Sequence, residues 1–283
     1  MSHQDRDLAG RFILITGANT GIGRSTAMQL AARGAGVVLS CRSEERTRPV
    51  LDAIRSSGGE AHFVPLDLAD FASVRACAEK VVAMGRRLDV LINNAGLAGH
   101  RGLTKDGFEL TFGTNHLGHF LLTMLLGPGL RAARARVVTV SSQAHYSAKS
   151  LDFDALRKPT QTLTGLREYA VSKLANILFA RELARRAAPS GVASYSLHPG
   201  VVASDAWRRI PWPIRTLMKL RMISNDDGAK TTIHCATSTE VGGASADYFD
   251  KCRPKAPSGL AVDDDLARRL WAKSAEWTGE DWE

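Results

Sequence analysis

Tyr169 and Lys173 stand four residues apart in the segment YAVSK. On a helix that spacing puts both side chains on one face. An ammonium group beside a phenol favours the phenolate, so it is expected to draw the tyrosine pKa down from about 10. A phenol tuned in this way can give a proton to a carbonyl oxygen or take one from an alcohol. Ser142 ends the apolar run RVVTVSS and can hydrogen-bond the same oxygen. Asn115, in TNHLGHFLLT, is an amide inside an apolar helix and needs a partner; it can kink that helix and hold a water near Lys173. Each feature alone has a plainer reading: a solvated helix face for the Tyr–Lys pair, a satisfied core or capping amide for Asn115. His116 and His119 share the Asn115 stretch and read as packed or hydrogen-bonded side chains. No carboxylate pair or metal-ligand cluster competes with this set.

A second cluster suits an anion. FILIT runs from Phe12 to Thr16 and leads into TGANTGIG, with Gly17, Gly21 and Gly23. A strand, a glycine turn and a helix start place backbone N–H groups at a helix N-terminus, where hydrogen bonds and the helix dipole attract a pyrophosphate. The alternative is a tight strand-to-helix turn with no ligand. At the end of the second strand an acid would bind a ribose 2′-hydroxyl and repel a 2′-phosphate. Cys41-Arg42-Ser43 stands there instead. Arg42 can hold a 2′-phosphate by charge-assisted bonds, which points to NADP(H); otherwise it is a surface arginine. Asp67, after the third strand, is placed to accept from an adenine amino group, or serves as a helix cap.

The elements that must position these residues follow from hydropathy. GVVLSC, HFVPL, VLINNAG, RVVTVSS and VASYSLHPG are strand-like runs, and helix-length amphipathic stretches lie between them. Continuous apolar strands separated by helices indicate a parallel sheet covered on both faces, the doubly wound α/β pattern. No repeat, low-complexity segment or linker interrupts the 283 residues, so one domain is expected. Apolar residues are 44% and charged residues 23%, which excludes a disordered chain. Lys plus Arg number 37 against 29 acids, a net charge of +8. The body is basic and the segment from Asp263 onward acidic. A basic body suits phosphate ligands or an acidic membrane surface, but no run of Lys or Arg and no nucleic-acid motif occurs. Cys41, Cys77, Cys235 and Cys252 lie far apart without a C-x-x-C, consistent with reduced thiols in a cytoplasmic protein. FILIT and FLLTMLLGPGL are too short to span a membrane. No signal-peptide pattern is visible.

TGANTGIG, NNAG (Asn93–Gly96), Asn115, Ser142, YAVSK and HPG (His198–Gly200) occur in the order found in the short-chain dehydrogenase/reductase family, which the chain resembles over nearly its whole length. LSCRSEER, TNHLGHFLLT, SKLANILFARELARR, YSLHPGVV and DDDLARRLW resemble its retinol-dehydrogenase-like branch. The resemblance implies a Rossmann sheet of about seven parallel strands. It implies a tetrad of Asn115, Ser142, Tyr169 and Lys173, with Tyr169 as acid/base, Ser142 orienting the carbonyl, Lys173 also binding the nicotinamide ribose, and Asn115 supporting a proton relay. Gly17, Asn19, Thr20, Gly21, Ile22 and Gly23 would hold the pyrophosphate side. Arg42, Asp67, Leu68, Asn94, Ala95 and Gly96 would line adenosine and ribose, and Pro199, Gly200, Val202 and Ser204 would border the nicotinamide.

Ser204 replaces the more usual threonine and keeps a hydroxyl. Asn19 and Thr20 stand where some NADP enzymes carry a base, so the cofactor expectation rests on Arg42. Ser142 and Tyr169 are 27 residues apart, a long spacing that the retinol-dehydrogenase branch shares. The membrane anchor common in animal members is not seen. The expected activity is NADP(H)-dependent interconversion of a hydrophobic aldehyde or ketone with its alcohol. A general short-chain carbonyl reductase and a non-catalytic dinucleotide sensor are the alternatives. Residues 205–224 are expected to form an apolar substrate lid with a basic face that touches lipid. A homodimer through the helices of Asn115 and Tyr169 is a further expectation, as is the absence of a metal.

Overall fold

In the computed structural model, the described residues are 6–200, 223–241 and 245–282. Val202, Ser204 and nearly all of the expected lid lie outside them. The chain alternates strands and helices: β1 (Phe12–Thr16), α1 (Gly21–Ala32), β2 (Gly36–Cys41), α2 (Glu44–Ser56), β3 (Ala61–Pro65), α3 (Phe71–Ala83) and β4 (Val90–Asn93). Then come α4 (Leu110–Phe112), a π turn (Gly113–Leu117), α5 (Gly118–Leu125), α6 (Gly127–Ala133), β5 (Arg136–Val140), α7 (Leu166–Ala187) and β6 (Ala193–His198). α8 (Asn225–Thr237), β7 (Tyr248–Asp250), β8 (Arg253–Pro254) and α9 (Asp264–Thr278) complete it.

The sheet order is β3-β2-β1-β4-β5-β6-β7-β8. Pairing is parallel from β3 to β7, as expected, and the two-residue β8 adds an antiparallel edge. Side chains alternate between the faces of the sheet. Leu14, Val38, Leu91 and Val137 pack with residues of α3 and α5, while Ile13, Ile15, Val37 and Leu39 pack on the opposite face with α1 and α2. Burial on both faces explains why the strands read as unbroken apolar runs. The order reverses beside β1, and in open α/β sheets ligands bind outside the strand carboxyl ends at such a switch point.

The helix ends follow sequence signals. Ser43 caps α2, with Glu44 and Glu45 in its first turn, and Asp70 caps α3 through the N–H groups of Ala72 and Ser73. Asp263 caps α9 by accepting from Leu266. α9 lies on the sheet's helical layer: the Trp271 and Phe179 rings stack 5.9 Å apart, and His116 meets Ser274 at 3.0 Å. The chain's own C-terminal helix therefore covers part of the two helices through which dimerisation is expected. Among the described residues no helix is long and apolar enough to cross a membrane.

Candidate active site

Both expected clusters sit at the carboxyl ends of the strands. Gly17 follows β1 with φ 68°, and a Cβ there would stand 2.9 Å from the Ala95 Cα. A Cβ on Gly23 would overlap the Gly17 carbonyl and the Asn94 amide. Only glycine lets the loop lie this close to the NNAG turn. Gly21, Ile22 and Gly23 form the first turn of α1, where N–H groups lack intrahelical acceptors and the turn itself carries no acid. This cradle fits a dinucleotide pyrophosphate. Asn19 is half-buried and Thr20 exposed at the mouth of the loop.

Cys41 ends β2 with its thiol against the backbone N–H groups of Gly17, Ala18 and Asn19. Burial pushes this thiol up, so it stays protonated and packs under the loop. Arg42 is exposed and makes no hydrogen bond or ion pair with the described residues, leaving its guanidinium available beside the loop. Asp67 accepts from the Ala69 N–H at 3.1 Å, and its own N–H donates to the Ser73 hydroxyl at 2.9 Å. It shapes the β3–α3 turn, while the helix cap is Asp70. The Leu68 side chain is buried against Gly118 of α5.

The NNAG turn is tied to β1. The Asn94 amide donates to the Thr16 carbonyl at 2.8 Å, and the N–H groups of Asn94 and Ala95 donate to the Thr16 hydroxyl at 3.0 and 2.9 Å. Asn115 occupies the π turn, fully buried. Its Oδ1 accepts from the Leu97 N–H at 2.9 Å, and its Nδ2 donates to the Leu97 carbonyl and the Ser172 hydroxyl, each at 3.0 Å. The expected kink is thus a π turn whose amide clamps the segment that follows Gly96. A Cβ on Gly96 would lie 3.3 Å from the Asn115 Oδ1 and 3.5 Å from the Lys173 Nζ.

Tyr169 and Ser142 are hydrogen-bonded to each other through their side chains. Ser142 ends the segment after β5, and Tyr169 lies in the first turn of α7, so the 27-residue spacing does not keep them apart. Lys173, one turn further on, is buried; its Nζ donates to the Val140 carbonyl at 2.9 Å and lies 5.6 Å from the centre of the Tyr169 ring. Burial lowers its pKa to about 8. Burial also pushes the Tyr169 phenol up from its usual value, against the Ser142 hydrogen bond, which pulls it down. The expected downward shift from the ammonium is therefore not the dominant effect: one Lys173 donor goes to Val140, and burial of the phenol outweighs the pull of the ammonium.

The expected border residues Pro199 and Gly200 follow β6, both half-buried, with Gly200 at φ 94°. His198 accepts from the Gln143 N–H at 3.4 Å, and His145 contacts the Ser142 carbonyl at 2.7 Å and accepts from the Ser258 N–H at 3.1 Å. These two rings fix the Ser142 loop. Neither role is visible from composition or spacing. Thr16 and Ser172 also escaped the sequence reading, although each adjoins a motif. Among the described residues no group of His, Cys, Asp or Glu is arranged to hold a metal.

Known proteins share this arrangement's sequence and fold. Residues 11–151 match the short chain dehydrogenase family. The human dehydrogenase/reductase SDR family member 13 is 43% identical over 96% of this chain and 74% of the relative. Human retinol dehydrogenase 13 is 40% identical, covering 96% of this chain and 86% of the relative. A crystal structure of an uncharacterized protein from Mycobacterium Paratuberculosis superposes with a TM-score of 0.79 at 34% identity, with both chains covered fully. That of an NAD(P) dependent gluconate 5-dehydrogenase from Beutenbergia cavernae, with bound NADP, gives a TM-score of 0.73 at 27% identity, covering 87% of this chain and 97% of that one. Identity across nearly the whole chain, together with a matching fold, leads to one conclusion: this protein belongs to the short-chain dehydrogenase/reductase family of oxidoreductases.

Proposed function

We propose that the protein interconverts a hydrophobic aldehyde or ketone with its alcohol, using NADP(H). The observation that carries this reading is the Tyr169–Ser142 hydrogen bond beside Lys173, at the strand ends next to a glycine cradle. The bound nicotinamide supplies or accepts the hydride. Tyr169 gives its proton to the carbonyl oxygen in reduction and takes it from the alcohol in oxidation. Ser142 donates a hydrogen bond to the same oxygen and aligns it. Lys173 would hold the nicotinamide ribose and keep a positive charge near the phenol. Asn115 keeps the Leu97 segment and Ser172 in place around that lysine.

NADP(H) is favoured because the position after β2 holds Arg42 with no acid in the ribose-reading place. A hydrophobic substrate is favoured by the relatives named retinol dehydrogenase. The test is a panel of long and short aldehydes and ketones, retinal included, followed by NADPH or NADH oxidation. Long apolar carbonyls should turn over fastest, with NADPH preferred. Tyr169→Phe should cut kcat about 10²–10⁴-fold and leave NADPH binding unchanged. Tight NADPH binding without turnover of any panel member would make the chain a dinucleotide sensor instead.

A further inference from the structure

His119 is fully buried, one helical turn beyond Asn115, and nothing in the reaction above uses it. Its Nδ1 lies 3.0 Å from the Asn115 carbonyl, and its Nε2 lies 2.9 Å from the Thr16 hydroxyl. That hydroxyl already accepts two N–H bonds, from Asn94 and Ala95. A hydroxyl has two lone pairs and one proton, so both lone pairs are taken and the proton is left to donate. It has two acceptors in reach: Nε2 at 2.9 Å and the Ile92 carbonyl at 3.5 Å. The shorter contact takes it. Nε2 is then the bare nitrogen, and Nδ1 carries the hydrogen that the Asn115 carbonyl accepts. The reverse tautomer would crowd a third donor onto Thr16 and face a lone pair toward a carbonyl. Protonation is opposed as well, because burial and the nearby Lys173 charge lower the ring's pKa to about 4.

These bonds close a ring. It runs from Thr16 on β1 to the N–H of Ala95, along the chain to Leu97, across to the Asn115 side chain, through the Asn115 backbone to His119, and back to Thr16. Gly96 lies on this ring, held against Asn115 and Lys173. We propose that His119 is a positioning residue, a neutral imidazole in its Nδ1–H tautomer that locks the end of β1 and the NNAG turn to the π turn carrying Asn115. The inference rests on the carbonyl/alcohol reading of this site for its kinetic consequence, though not for its geometry. Losing the link lets the NNAG turn and the Asn115–Lys173 pair drift relative to each other. A displacement near 1 Å at a reacting centre costs up to about 100-fold in rate.

The test joins three measurements on the whole chain. Nitrogen-15 NMR of the histidine rings, with His119 assigned by its loss in His119→Gln, should show Nδ1 protonated and Nε2 bare from pH 8 to 5.5. His119→Phe, which keeps an aromatic ring and loses both bonds, should lower kcat about 10–100-fold with KM for the carbonyl changed less than about threefold. His119→Gln can donate and accept, so it should recover more rate than His119→Phe; a ring that only fills space would show the reverse order. Thr16→Val combined with His119→Phe should lose much less than the product of the two single losses. An Nε2–H tautomer, a ring titrating near 6.5, or kinetic losses that multiply would each overturn the proposal. If the wild-type chain turns over no carbonyl, the functional reading falls. The tautomer, and the same variant cycle read in unfolding free energy, then still decide the role of His119.

Discussion

At the residue scale, chemistry depends on which groups are left with a hand free. Several arginines among the described residues are engaged: Arg33 with Asp7, Arg86 with Glu60, Arg48 with Glu44. Arg42 has no partner among the described residues and stands beside the glycine loop. Arg42→Ala should weaken NADPH binding about 10–100-fold, the equivalent of roughly 1.5–3 kcal/mol for a charged hydrogen bond. NADH binding should hardly change. Equal losses for both cofactors, measured by titration calorimetry, would show that Arg42 supports the loop and does not read the 2′-phosphate.

At the element scale, the segment between Ser142 and Tyr169 is long but not loose. Leu151 and Leu156 are buried in it, and Arg157 lies over the Phe108 ring at 4.4 Å. Thr160 donates to Glu109, a buried carboxylate that also caps α4 by accepting from the Phe112 N–H at 2.7 Å. Burial raises the Glu109 pKa, and these hydrogen bonds work against that rise. The insert is thus pinned to the N-terminal end of the helical stretch that carries Asn115. Thr160→Val should destabilise the fold by about 1–3 kcal/mol, because it strips one donor from a buried carboxylate. Urea unfolding measures this; a change under about 0.5 kcal/mol, the level of an ordinary surface substitution, would mean that the clamp holds nothing.

At the scale of the whole molecule, acid should unfold this protein through its buried rings. His116 and His119 are lowered by burial to about 3 and about 4, and His198 to about 4. In the unfolded chain each binds a proton near 6.5. Below that pH the unfolded state therefore takes up protons that the native state refuses, and stability falls as pH drops from 6.5 toward 4. Each ring accounts for about 2 kcal/mol of that loss at pH 5. His116 sits among Phe112, Phe120 and Phe179, and its Nδ1 has no partner among the described residues. His116→Phe should therefore shrink the difference between unfolding free energies at pH 7.5 and pH 5 by about 2 kcal/mol. An unchanged difference would place the acid sensitivity elsewhere.

The alternation of strands and helices, the glycine loop and the placing of Tyr169 and Lys173 on one helix face were legible in the sequence because each is written locally. Apolar runs mark strands buried on both faces, Gly17 and Gly23 mark a loop that tolerates no Cβ, and a four-residue spacing marks one helix face. The π turn at Asn115 was half legible: an amide in an apolar helix signals a distortion, but its partner Leu97 lies 18 residues back. The direction of the Tyr169 and Lys173 shifts was not legible, because desolvation depends on everything packed around a group and not on its neighbours in the chain. The Thr16–His119 contact spans 103 residues and the Thr160–Glu109 contact 51. A residue's type states what it can donate or accept. Only the folded chain decides which distant atom is there to meet it, and the cost of leaving a buried polar group unmet makes that choice binding.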